Sequence, residues 1–225
     1  MGERIDLDTA GGHRVGAYLA KPAGQPKGGI VVVQEIFGVT PHIRDVTDRF
    51  AEAGYTAVAP AFFDYVERDA ELAYDRGGTS HGRKLAAEVG MDRAVEAVAS
   101  AADSIRSSGK TGVVGFCWGG TVALLAAQRL GLPAVSYYGA RNTGHFDQPL
   151  KAPVIFHFGD RDASIPAEAI EGHRKAWPDA PVYVYDHCGH AFNRDLDKNV
   201  YNANAATLAW QRTLEFFDRH LAGNE

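Results

Sequence analysis

Hydrophobic positions along the chain follow two rhythms. From His13 to Ala20, Val15, Ala17 and Leu19 alternate with Arg14, Gly16 and Tyr18, the period-two pattern of a half-buried strand, and a proline- and glycine-rich turn follows from Lys21 to Gly29. Gly29-Ile30-Val31-Val32-Val33-Gln34-Glu35 then runs apolar and β-branched without interruption, which predicts a strand covered on both faces of a parallel sheet. Thr40-Pro41 supplies an N-cap and an N1 proline. Ile43, Val46 and Phe50 share one helical face, and Gly54 stops that helix before a strand over Tyr55 to Pro60.

From Phe62 to Gly90 neither rhythm persists. Asp64-Tyr65-Val66-Glu67-Arg68 and Tyr74-Asp75-Arg76-Gly77-Gly78 are polar and glycine-broken, so a long irregular excursion is expected there, of a length that often carries function. Helical spacing resumes at Met91, Val95, Val98, Ala102 and Ile105 and ends at Gly109. A strand from Thr111, a helix from Thr121 to Leu130 stopped by Gly131, strands over Pro133 to Tyr138, Pro153 to Phe158 and Pro181 to Tyr185, and a last helix striped by Trp210, Leu214, Phe217 and Leu221 complete the chain. Repeated strand–helix alternation predicts one doubly wound α/β domain, with a mostly parallel central sheet and helices on both faces.

Composition narrows the field. A chain of 225 residues, 45% hydrophobic, has material for one sizeable core, and no linker, repeat or low-complexity tract divides it. The net charge of −5 comes from interspersed acids and bases with no basic block, which argues against a nucleic-acid partner or an anionic membrane. No apolar leader or membrane-length stretch is present, and Cys117 and Cys188 are too few for a disulfide framework. A cytoplasmic protein, monomeric or weakly homodimeric, is the expectation.

The chemistry concentrates at Gly115-Phe116-Cys117-Trp118-Gly119-Gly120, where a predicted strand turns into a predicted helix. Glycines two residues either side are what a nucleophile elbow needs, because its strained turn has no room for side chains and holds the central atom out over the sheet edge. Here that atom is sulfur. A cysteine nucleophile calls for a base and an acid in the chain order nucleophile, acid, histidine. Ligand sites in open parallel sheets lie beyond the carboxyl ends of the strands, so the loops after Phe158 and Tyr185 are the places to look. The first carries Asp160-Arg161-Asp162, and pattern alone leaves Asp160 and Asp162 equal candidates. The second carries Asp186-His187-Cys188-Gly189-His190-Ala191, where small neighbours favour His190 as the base and Cys188 reads as a packing residue. A metal site made of His187, Cys188 and His190 is a weaker alternative, since three ligands within four residues lack the spaced pairs of familiar zinc sites.

Four segments resemble the dienelactone hydrolase family of the α/β-hydrolase superfamily: Gln34-Glu35-Ile36-Phe37-Gly38, the cysteine elbow, Gly159-Asp160-Arg161-Asp162 with Pro166, and Gly189-His190-Ala191-Phe192. The resemblance spans nearly the whole chain. It implies an α/β-hydrolase fold, hydrolysis of a small ester or lactone through a thioester acyl-enzyme, a catalytic triad of Cys117, Asp162 and His190, and no cofactor or metal. It also implies that Glu35 influences the resting protonation of the sulfur, the alternative being a strand-end acid paired with a base such as Arg44. The backbone N–H groups of Ile36 and Trp118 would form the oxyanion hole. Arg194 matches an arginine that holds a substrate carboxylate, whereas Arg76 and Arg83, in the excursion, have no clear match. A non-catalytic or redox-sensing small-molecule binder using a reactive Cys117 is the alternative function.

Overall fold

The computed structural model describes residues 2–221. Eight strands, β1 (Glu3–Asp8), β2 (Arg14–Ala20), β3 (Gly29–Val33), β4 (Thr56–Pro60), β5 (Thr111–Phe116), β6 (Ala134–Tyr137), β7 (Val154–Gly159) and β8 (Val182–Tyr185), form a sheet in the order β1-β2-β4-β3-β5-β6-β7-β8. β2 pairs antiparallel with β1 and β4, while β3–β4, β6–β7 and β7–β8 are parallel. Successive residues of a strand face opposite sides, and Ile30 through Val33 are all 0% exposed, so both faces of β3 are covered as the β-branched run predicts. This is the α/β-hydrolase fold class.

Two compact units divide the chain after Val113, and β5 begins in one and ends in the other. In the first unit, α1 (Pro41–Glu52) packs on β2, β3 and β4, and Thr40 caps it by accepting the Ile43 N–H at 3.4 Å. α2 (Arg76–Ser104) packs on β3 and β4 and is broken at Gly90, which has φ 71°. In the second unit, α3 (Trp118–Arg129) packs on β6 and α4 (Ala167–Ala176) on β8, and α5 (Ala203–Leu221) runs to the end of the described residues. Every residue of α3 from Trp118 to Gln128 is buried, so this helix is enclosed rather than amphipathic.

Besides α4, to which the sequence pattern assigns no helix, two elements depart from the sequence reading. β1 was not anticipated because only Leu7 of its six residues is buried, an edge strand with almost no hydrophobic signal. Within the excursion, residues 76–89 are helical, capped by Asp75 through the Gly78 N–H at 2.7 Å, and bury Gly82, Leu85, Ala86 and Val89. The glycines that made this stretch look irregular serve close packing instead: a Cβ on Gly82 would collide with the carbonyl oxygen of Ile36.

Candidate active site

β5 ends at Phe116, α3 begins at Trp118, and Cys117 between them takes φ 57° and ψ −117°. Non-glycine residues avoid positive φ, so the position is strained and must be held by its surroundings. The Cys117 N–H donates to the Tyr137 carbonyl at 3.0 Å, and its own carbonyl accepts the Gly120 N–H at 2.9 Å. A side chain on Gly115 would strike the Gly119 carbonyl, which is the steric reason for glycine two residues before Cys117. The thiol is free and partly accessible.

The loop after β7 carries Asp162 towards His190. Asp162 is buried, its side chain 1% exposed; Oδ1 accepts the Ser164 N–H at 2.8 Å and Oδ2 accepts Nδ1–H of His190 at 2.6 Å. The imidazole also bonds to Cys117. Burial alone would push its pKa down, but the hydrogen bonds to Asp162 and Cys117 and the charges of both outweigh that, raising it to about 10. At neutral pH His190 is therefore held in its charged form beside the Cys117 sulfur.

Geometry also separates the two aspartates. Asp160 accepts the backbone N–H groups of His187 and Cys188, the latter at 3.1 Å, while its own N–H donates to the Tyr185 carbonyl. Although burial raises its pKa, these N–H donors and the nearby Arg161 bring it below the ordinary carboxylate range. Asp160 thus ties the root of the histidine loop, whose residues His187 and Ala191 both have φ 61°. His187 accepts from Arg161 rather than meeting Cys117. Cys188 is buried, donates to the Asp186 carbonyl, and has its thiol pKa pushed up by burial and by the charges of Asp160 and Asp186, as befits a packing residue. Among the described residues no three histidine, cysteine or acidic groups assemble as metal ligands, so the His187–Cys188–His190 alternative gains nothing from the geometry.

Glu35 is 1% exposed just beyond β3, and Arg44, the base suggested for it, pairs instead with Glu71 at 2.7 Å. The Gln34–Thr40 loop is clamped by the excursion: Leu72 N–H donates to the Phe37 carbonyl, Tyr74 packs edge-on against Phe37 at 4.7 Å and its hydroxyl meets Thr40 Oγ1 at 2.8 Å. Arg194 is buried, with Nη2 on Asp197 Oδ2 at 2.9 Å. Arg76 and Arg83 are exposed and line a surface groove of about 620 Å³ with Tyr74, Thr79 and Ser80. Tyr138 stands against His190 at 4.8 Å, whereas the Tyr137 hydroxyl is buried on Thr213. Asn193 was missed, because its partner Tyr138 lies 55 positions earlier in sequence.

A cysteine on a strand–helix elbow, with a histidine and a buried aspartate arriving from later sheet loops, defines a hydrolase of the α/β class. The chain belongs to the dienelactone hydrolase family: that family's sequence model matches residues 15–221. It is 33% identical over 230 residues to the carboxymethylenebutenolidase of Pseudomonas putida, with 95% of each chain covered. A solved Klebsiella pneumoniae protein provisionally described as a dienelactone hydrolase superposes with a TM-score of 0.84 at 29% identity, covering 96% of this chain and 98% of its own. A dienelactone hydrolase-like promiscuous phosphotriesterase from metagenomic libraries shares the fold, with a TM-score of 0.78 at 21% identity and 99% of each chain covered. No helix of the described residues is long and apolar enough to cross a membrane.

Proposed function

We propose that this lactone and ester hydrolase cleaves small substrates of the dienelactone type through a Cys117–His190–Asp162 triad and a thioester acyl-enzyme. The observation that carries the reading is the hydrogen-bonded series from Asp162 through His190 to Cys117. Thiolate attacks the carbonyl carbon, and the oxyanion is received by the N–H groups of Trp118, at the start of α3, and Ile36. Collapse breaks the bond to the leaving oxygen, which takes the proton from the imidazolium. Water then gives a proton to neutral His190 and attacks the thioester, releasing the acid and restoring the thiolate. Asp162 fixes the imidazole tautomer and stabilises its charged form throughout.

Glu35, buried beyond β3, is assigned to modulating the sulfur's protonation before substrate arrives. Arg194, four residues past the base and held by Asp197, is assigned to a substrate carboxylate. Atoms balance with water and substrate alone, so the scheme needs no cofactor. The reading also takes residues 1–225 as one domain, supported by the continuous family match, and places the protein in the cytoplasm as a monomer or weak homodimer without nucleic-acid or membrane partners.

Steady-state hydrolysis of an activated aryl ester and a dienelactone, for wild type and Cys117→Ala side by side, tests the proposal. Cysteine-dependent turnover of both supports it. Turnover of the aryl ester alone keeps the triad and discards the dienelactone assignment. Undiminished activity in Cys117→Ala overturns the mechanism, and a thiol that reacts rapidly with peroxide without ester turnover favours a redox-sensing role.

A further inference from the structure

Tyr138 follows β6 with φ 39°, a conformation in which a bulky L-residue is a genuine outlier, and such strain persists only where the surroundings over-determine it. It is fully buried. Its N–H donates to the His157 carbonyl at 2.8 Å, and the carbonyl of Tyr137, immediately before it, accepts the N–H of Cys117. Its side chain engages the histidine loop at three points: the ring meets the His190 imidazole at 4.8 Å and 55°, meets Phe192 edge-on at 5.7 Å, and the hydroxyl donates to Asn193 Oδ1.

The histidine loop needs such a brace. The bonds to Asp162 and Cys117 hold two edge atoms of the imidazole but leave the ring free to tilt about the line between them, while the side chain stays 30% exposed and so is open to water on part of its surface. Left-handed backbone at His187 and Ala191 gives the loop no regular hydrogen-bonding ladder of its own. A wall against the ring is what converts these two edge contacts into a fixed plane, and the plane decides how squarely Nε2 meets the sulfur.

We propose that Tyr138 is a positioning residue, whose buried ring and hydroxyl fix the plane of the His190 imidazole and whose backbone segment ties that plane to the N–H of Cys117. The inference rests on the triad reading and deepens it. Two residues at the end of one strand thereby hold the nucleophile's backbone and the base's ring at once, so the distance between sulfur and Nε2 is set by a single rigid segment. A misplacement of about 1 Å from such a support costs on the order of a hundredfold in rate.

Tyr138→Leu and Tyr138→Phe, assayed for aryl-ester hydrolysis and by proton NMR for the downfield Nδ1–H of His190, test it. Tyr138→Leu should lose about a hundredfold in kcat with KM within about threefold and lose the downfield resonance to exchange, while Tyr138→Phe, which keeps the ring, should restore kcat to within about tenfold of wild type. A folded Tyr138→Leu with wild-type kcat and an intact resonance overturns the proposal. If that variant does not fold, Tyr138→Phe and Asn193→Ala decide: each should broaden the resonance, and the double variant should add little to either, whereas a sharp resonance in both refutes the brace. Because the resonance reports the His190–Asp162 bond without turnover, failure here is distinguishable from failure of the triad reading, which Cys117→Ala reports.

Discussion

Acidifying the protein from neutral pH to 4.5 should remove about 5 kcal/mol of folding stability through two side chains, His157 and His173. Both are 0% exposed. Burial, helped by the Arg212 charge, depresses the pKa of His157 to about 3, and burial depresses His173 to about 4 against a hydrogen bond to the Ala169 carbonyl that favours the charged form. Each is held neutral: His157 Nδ1 meets the Tyr185 hydroxyl at 2.8 Å, and His173 sits between the Ala169 carbonyl and Asn142 Nδ2. Below pH 6.5 the unfolded chain takes up two protons that the folded one refuses, so stability falls by about 1.4 kcal/mol per pH unit for each histidine until the folded pKa is reached. His190 adds no slope in this window. Its pKa is raised, so its stabilisation is fully present below pH 6.5 and is lost only as pH climbs through about 10. Asp8 and Asp197, whose carboxyls are lowered mainly by Arg14 and Arg194, and Asp160 give way only below about pH 4. Against a typical total of about 5–15 kcal/mol, such a loss brings the protein close to unfolding. Urea midpoints measured by circular dichroism every half pH unit would show the slope, and His173→Gln, which cannot titrate, should roughly halve it. A flat profile between pH 6.5 and 4.5, or an unchanged slope in that variant, would refute the reasoning.

Exchanging the two aspartates separates their roles: Asp162→Asn should cut kcat by about 10³–10⁴-fold through loss of the imidazole's tautomer and charge partner, while Asp160→Asn, which only loosens the loop root, should cost about tenfold. Equal losses in a burst-free aryl-ester assay would contradict that division. Gly115→Ala drives a methyl into the Gly119 carbonyl and should displace the elbow, giving at least a hundredfold loss of turnover with a lowered melting temperature; wild-type activity there would mean the elbow yields more readily than its packing implies.

The features legible in the sequence were those in which local pattern and tertiary role coincide. Buried strands announce themselves because residues such as Ile30 to Val33 must be apolar on both faces, and the elbow announces itself because its glycines answer a steric demand made within a few residues. Asp162 and Asp160 looked alike because the distinguishing fact, which one reaches His190 and which one reaches the Cys188 N–H, is decided by partners 28 residues away. Helix 76–89 was hidden for a related reason. Gly77, Gly78 and Gly82 read as breakers, yet Gly82 marks where the helix presses on the Ile36 backbone, a contact 46 positions distant that no local rule contains. β1 was silent because an edge strand asks for little burial. Tyr138 and Asn193 meet only once β6 and β8 have brought the loops that follow them together.

The strain at Cys117 belongs to its place in the chain and not to sulfur. A φ of 57° is imposed by the β5–α3 junction and by the backbone bonds to the Tyr137 carbonyl and from the Gly120 N–H, none of which involves the side chain. A serine at this position would meet the same backbone demand, so Cys117→Ser should keep the elbow while changing the atom that it presents.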